Sequence, residues 1–246
     1  RCIKCKGCYW VEHTYQPGIK FSTRCPSNLW NDFDSYGAFG KMRIGLAVAE
    51  GKLKWTPTLL EVLYADPLCG ACDVGCKRNL DLEIGLSLES LRVKAVKDGA
   101  GPMPVHKKIA KNIASKHNTF GAAHKDRKKW VTKDIKVAKK ADLLYFVGCT
   151  ASYANKEIAK ATAKILNASR TQFMLMPDEW CCGNPSLLSG DEHTAREYAL
   201  HNVEALESRG VKKVITGCAG CYRVFRFEYP KLLGREPNFE ILHAVE

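Results

Sequence analysis

Cys181 and Cys182 stand side by side in the stretch EWCCGN, in one region with Cys149, Cys218 and Cys221. The pattern is one cysteine, 31 residues, an adjacent pair, 35 residues, then C-x-x-C. Adjacent thiols make a poor disulfide, because closing so small a ring violates ordinary Cα and Cβ geometry. A tetrahedral zinc ion takes four ligands and would leave one of these five thiols spare. A four-iron cluster can use five thiolates if one bridges two metals, and neighbouring side chains can reach different irons. Gly183 would then let the backbone approach the cluster without a Cβ in the way.

Seven more cysteines precede these. Cys2, Cys5 and Cys8 have ferredoxin spacing, Cys25 is followed by Pro26, and Cys69, Cys72 and Cys76 lie in CGACDVGC. In two-cluster ferredoxins the cysteine before proline ligates the other cluster. One partition gives a cubane cluster to Cys25, Cys69, Cys72 and Cys76. Cys2, Cys5 and Cys8 then need a fourth ligand before Arg1, a non-cysteine ligand, or only a [3Fe-4S] cluster. Moving Cys76 to the first group transfers the deficit to the second, where Gly75 stands in place of an expected cysteine. Zinc knuckles on Cys2/Cys5 and Cys69/Cys72 are the alternative, although zinc ribbons prefer pairs to triplets.

The elements that must position these sulfurs change character along the chain. Segments 35–53, 56–66 and 81–99 read as helices, with Thr56 and Asp81 as caps, Pro57 at a first helical position and Gly99 as a stop. Gly101, Pro102 and Pro104 break the pattern, and 106–140 reads as a basic connecting arm. From Ala141, ADLLYFVG, TQFMLMP, VKKVITG and NFEILH are apolar strand-like runs. Amphipathic stretches at 152–169, 186–210 and 221–233 separate them. That alternation predicts a parallel sheet with right-handed crossovers. Cys149, the Cys181–Cys182 pair, and Cys218 with Cys221 each follow a strand, so they would converge at the carboxyl edge where such sheets bind ligands.

YFVGCTASY, EWCCGNP, VITGCAGCYRVFRFEYPKLL and EILHAVE resemble the CCG cysteine-rich domain. That domain belongs to the catalytic iron–sulfur subunits of heterodisulfide reductases and to related electron-transfer subunits. Among these are subunits of class II benzoyl-CoA reductases and of lactate, glycolate and glycerol-3-phosphate oxidising complexes. The resemblance implies a Rossmann-like parallel β/α domain over 141–246, with a noncubane [4Fe-4S] cluster on Cys149, Cys181, Cys182, Cys218 and Cys221. Residues 1–105 resemble the α-helical ferredoxin-like domain fused to CCG domains, which implies one or two cubane clusters; the fold class expected is α + α/β. LCGACDVGCKRNLDLE looks closest to the benzoyl-CoA-reductase-type subunits. Heterodisulfide reductases usually carry two CCG repeats, whereas one is found here, so either the chain is a single-repeat relative or a C-terminal half is missing.

Composition bounds the rest. The 246 residues are 46% apolar with no run long enough to span a membrane, and RCIKCKGCYW has neither an initiator Met nor a signal-peptide core. A net charge of +12 suggests nucleic acid, but twelve thiolates would offset much of it. HKDRKK, His124–Lys129, then reads as a solvated face or docking patch. The lack of a glycine-rich nucleotide fingerprint argues against bound flavin. His243, at the end of the fourth strand, is a candidate hydrogen-bond donor or proton shuttle at the cluster, or an ordinary strand-end histidine. Tyr153, Asn184 and Tyr222 are candidates beside the cluster or at helix starts. Asp73, Asp178 and Glu179 read as caps or solvated loop charges, and His117 and Phe120–Gly121 as loop structure.

Three functions compete. The first is an iron–sulfur electron-transfer subunit of a multisubunit anaerobic oxidoreductase, relaying electrons between cubane and noncubane clusters. The second is a catalytic heterodisulfide reductase subunit, and the third a zinc-dependent nucleic-acid-binding module. The favoured first reading expects a flavoprotein, iron–sulfur or membrane quinone/haem partner and no nucleic acid. It places the chain in the cytoplasm, at the inner membrane face only through a partner.

Overall fold

The computed structural model describes residues 2–11, 17–18, 22–77 and 80–246, in two units: 1–106 with 188–191, and 107–187 with 192–246.

The first unit is helical. α1 (Pro26–Asn31) starts on proline directly after Cys25, whose extended backbone forms the cap position. α2 (Ala38–Ala49) and α3 (Pro57–Tyr64) follow, and the Thr56 hydroxyl accepts the Leu59 N–H at 3.1 Å as its sequence position predicts. α4 (Ala71–Lys77) carries Cys72 and Cys76. α5 (Ile84–Lys97) is not capped by Asp81, which sits in the left-handed region at φ 50°. The Asp73 carboxylate accepts the Gly85 N–H at 2.8 Å instead, so α4 supplies the cap. Two apolar clusters fill this unit. Ala38, Phe39, Ile84 and Leu88 enclose Cys8 and Cys76, while Val48, Leu59, Leu63, Leu91 and Ala95 form the second. Lys41, 1% exposed, is held by Asp66 at 2.8 Å, by Ser27 Oγ and by the Tyr36 carbonyl.

α6 (Pro104–Lys116) leads into the second unit. Its sheet is parallel, order β2-β1-β3-β4, with β1 Leu143–Tyr145, β2 Phe173–Leu175, β3 Lys213–Thr216 and β4 Glu240–His243. In register, Leu144 lies between Met174 and Val214, and Val214 pairs with Ile241. Alternation along the strands splits the core in two. Leu144, Phe146, Met174, Val214 and Ile241 join one cluster with Ala199 and Val203 of α9 (Glu192–Glu207). Tyr145, Val147 and Phe173 face the other, with Ala159 and Ala163 of α7 (Lys156–Ala168).

The stretch 186–210, expected as one helix, is two: α8 (Asn184–Ser189) and α9. Gly190 breaks it at φ +91°, where an added Cβ would strike the Arg92 backbone. α10 (Ala219–Arg223) and α11 (Tyr229–Leu233) are joined by a π-helical turn over Val224–Glu228. The mixture of helices with a small parallel sheet is the α + α/β class expected. In the stretch read as a connecting arm, 106–140, the residues Ile113, Arg127, Trp130 and Ile135 are buried within the second unit. Among the described residues no helix is long and apolar enough to cross a membrane.

Candidate functional site

The sheet order puts a reversal between β1 and β3: the chain steps from β1 to β2 on one side, then to β3 on the other. That reversal opens a crevice at the carboxyl ends of the central strands. Cys149 follows β1, and Cys218 is the residue before α10 at the end of β3. The Cys181–Cys182 loop arrives from β2 and is fastened by its backbone. The Cys181 N–H donates to the His117 carbonyl at 2.8 Å, Asn202 of α9 donates to the Cys181 carbonyl, and the Tyr229 hydroxyl of α11 donates to the Cys182 carbonyl. Asn202 and Tyr229 are wholly buried and bonded to each other, so packing fixes the adjacent pair.

The five sulfurs form one unbroken series of side-chain contacts: Cys149 to Cys181, Cys181 to Cys182, Cys182 to Cys221, and Cys221 to Cys218. None is in a disulfide, and all but Cys218 are buried. The contacts split their acidities. Hydrogen bonds from Cys181 and Cys221 bring the Cys182 thiol down to about 5, and that from Cys221 brings Cys218 to about 5. As donors in this series, reinforced by burial, Cys149 and Cys221 are raised well above the ordinary thiol value.

Backbone amides also point at the sulfurs: Thr119 at Cys149, Gly183 at Cys181, Asn184 at Cys182, and Gly220 and Cys221 at Cys218. Amide donors aimed at sulfur favour thiolates and tune any metal they bind. Gly148, at φ +78°, leaves open a position where a Cβ would lie 3.1 Å from Cys221 Sγ. Gly183 does something other than admit a cluster. Its φ of +84° suits the turn after the cysteine pair, and a Cβ there would only touch Ala195 of α9 at 3.4 Å. Among the described residues no three His, Cys, Asp or Glu side chains group as a single metal ion requires. A polynuclear group spreads its thiolates over several metals, and the donor set, the amides and the space at Gly148 fit that demand.

Glu179 differs from its reading as a cap or solvated charge. It is 1% exposed; it accepts the Val147 and Gly148 N–H groups at 2.9 Å each and pairs with Arg127 at 2.6 Å. The cause is the β1 loop, whose amides would be buried without an acceptor. Arg127, 2% exposed, was hidden in the basic run HKDRKK, where Lys125, Lys128 and Lys129 do face solvent. Its guanidinium reaches Cys149 Sγ at 3.9 Å and lies over the Tyr153 ring. Nothing in HKDRKK distinguishes Arg127 from the neighbouring lysines as the side chain that turns inward.

One other grouping was not legible. The Trp180 ring is stacked between His117, at 3.7 Å, and His201, at 3.6 Å. His117 also bonds the Tyr198 hydroxyl at 3.0 Å, and these four residues line a cavity of about 510 Å³. Burial holds His117 below the ordinary histidine value. His243 acts electrostatically on Cys218 and meets Tyr222 edge-on at 5.9 Å. Asp178 remains exposed, beside His124 and His201.

In the first unit Cys8 and Cys76 are buried in one apolar cluster, with Cys2 and Cys72 against it. Burial raises Cys8 to about 11, with Cys2 and Cys5 adding to it. It raises Cys72 to about 12, with Asp73, Asp66, Cys8 and Cys69 adding to it. Cys25 lies apart from that cluster, with its sulfur 3.5 Å from Ser27 Oγ, the hydroxyl that receives the Lys41 ammonium. A Cβ at Gly75 would run into the Gly7 carbonyl, which is why no cysteine stands there.

Comparison with known proteins matches residues 143–226 to CCG, the cysteine-rich domain. The whole chain is 36% identical to a subunit of the dihydromethanophenazine:CoB–CoM heterodisulfide reductase of Methanosarcina barkeri and spans 61% of that protein. A subunit of the fumarate reductase (CoM/CoB) of Methanothermobacter marburgensis is 27% identical over 94% of this chain and 43% of its own length. EtfAB:quinone oxidoreductase of Syntrophomonas wolfei is 28% identical over 59% of this chain and 22% of its own. No solved structure matches.

Proposed function

Because this chain belongs to the heterodisulfide-reductase-like iron–sulfur proteins with a CCG cysteine-rich domain, we propose that it is an electron-transfer subunit of a multisubunit anaerobic oxidoreductase. An iron–sulfur cluster, when bound, supplies one-electron redox chemistry. Cys149, Cys181, Cys182, Cys218 and Cys221 are its ligands in the second unit, as a noncubane [4Fe-4S] cluster. The observation that carries this reading is the unbroken contact series of five free thiols at the sheet's switch point. The protein's own work there is to present thiolates, direct amides at them and exclude water with Tyr198, Tyr229 and Ile113.

The first unit, as a helical ferredoxin-like domain, holds the cubane part of the relay. Cys2, Cys8, Cys72 and Cys76 share one apolar cluster, which brings cysteines of both sequence groups together. Seven cysteines are one short of two four-cysteine sets, so one of the two clusters takes a non-cysteine ligand or is [3Fe-4S]. Flavoprotein, iron–sulfur or membrane quinone/haem partners supply and accept the electrons, and the chain works in the cytoplasm.

Metal analysis on protein purified without oxygen tests this. Iron with matching labile sulfide, about four irons of which are lost in Cys182→Ala, is the expected result. Zinc without sulfide overturns it. A second reading, disulfide reduction, takes its substrate space from the cavity lined by Trp180, the residue before Cys181 in the chain, although none of the five cysteines lines that cavity. It requires turnover of a mixed disulfide by the loaded protein.

A further inference from the structure

We propose that Arg127 and Glu179 set the reduction potential of the group held by the five thiolates, Arg127 raising it and Glu179 lowering it. The inference rests on the iron–sulfur reading of those cysteines and names which of the chain's own charges govern it.

Both side chains are almost fully buried, 3% and 2% exposed, and their ion pair is 2.6 Å long. Surface pairs are screened by water, whereas a charge enclosed this deeply acts on its surroundings at low dielectric. The pair is not symmetric toward the sulfurs. Arg127 touches Cys149 Sγ directly at 3.9 Å, and its Nε–H has no protein acceptor. Glu179 spends its oxygens on Arg127 and on the Val147 and Gly148 amides, which lie in the loop leading to Cys149. The cation therefore stands between the carboxylate and the sulfur in contact terms.

A structural role alone is a weaker account. Breaking a buried pair by neutralising one partner is destabilising, and well-packed apolar residues would often serve stability as well. A chain that needed only to fasten the β1 loop could do so with a neutral acceptor for two amides. What an arginine adds is a fixed positive charge in contact with a sulfur that gains negative charge when electrons arrive. Reduction adds that charge to the cluster, so a neighbouring cation favours the reduced state and a neighbouring anion the oxidised one.

The test is a redox titration followed by electron paramagnetic resonance on the full chain, anaerobically purified. Arg127→Met should lower the midpoint by at least about 59 mV, a tenfold change in the ratio of reduced to oxidised cluster for one electron. Glu179→Gln should raise it, and Arg127→Lys should return it toward the unsubstituted protein. Opposite signs separate electrostatics from disruption, since general loosening of the loop would move both variants the same way. Shifts of the same sign, or none, overturn the inference while the cluster assignment stands. If Arg127→Met does not fold, Arg127→Gln takes its place with the same fall in midpoint expected, and Glu179→Gln must still raise it. If Cys182→Ala removes no iron, the iron–sulfur reading of this site fails and takes the inference with it.

Discussion

Single atoms decide much of this chain's chemistry. Gly148 combines a left-handed backbone with a Cβ position 3.1 Å from Cys221 Sγ. Gly148→Ala adds about 1–2 kcal/mol of backbone strain and crowds that sulfur, so iron content should fall more steeply than the melting temperature. Metal analysis beside thermal denaturation checks it. Lys41→Met leaves the Asp66 carboxylate buried and unpaired, and should cost about 3–5 kcal/mol in a denaturant titration, because one partner of a buried pair has gone. The convergence of the five later cysteines was legible because each follows a strand of one parallel sheet. Arg127 and Glu179 were not, because a charge in a polar loop looks the same on paper whether it faces water or a sulfur.

Among the elements, the four strands and their order of alternation were readable, since apolar runs of β-formers between amphipathic helices leave few other arrangements. Boundaries and breaks were less so. The division of 186–210 into α8 and α9 depends on Gly190 meeting the Arg92 backbone, a contact distant in sequence that no local pattern encodes. The capping of α5 by Asp73 is likewise tertiary. After α9 and α11, Arg235 grips Glu207 with two hydrogen bonds of 2.8 Å, and Glu207 also accepts the Asn238 N–H. Arg235, with the Asn238 amide, holds this carboxyl below its ordinary value. A depressed carboxyl pKa contributes stability that is present above the unfolded value, about 4.3, and is lost as pH falls through the folded one. Glu207→Gln should therefore flatten the acid limb of the melting-temperature profile below about pH 5, modestly, because the Arg235 side chain is 46% exposed.

For the molecule as a whole, charge and metal are linked. The apoprotein carries +12, and each thiol that becomes a ligand gives up a proton. The loaded protein should focus at a lower isoelectric point than the apoprotein, and an unchanged position would argue against thiolate ligation. Length sets a further boundary: the chain spans 61% of the heterodisulfide reductase subunit it matches, so what the rest of that relative does is not carried over with the match. One grouping gives a way to watch the site fill. Trp180 is held between two imidazoles and is the residue before Cys181 in the chain. An indole so close to a chromophore that absorbs across the near ultraviolet loses its emission by energy transfer. Trp180→Phe would separate that light from the emission of the other four tryptophans. Reconstitution then becomes an optical titration, followed in seconds and without consuming the sample.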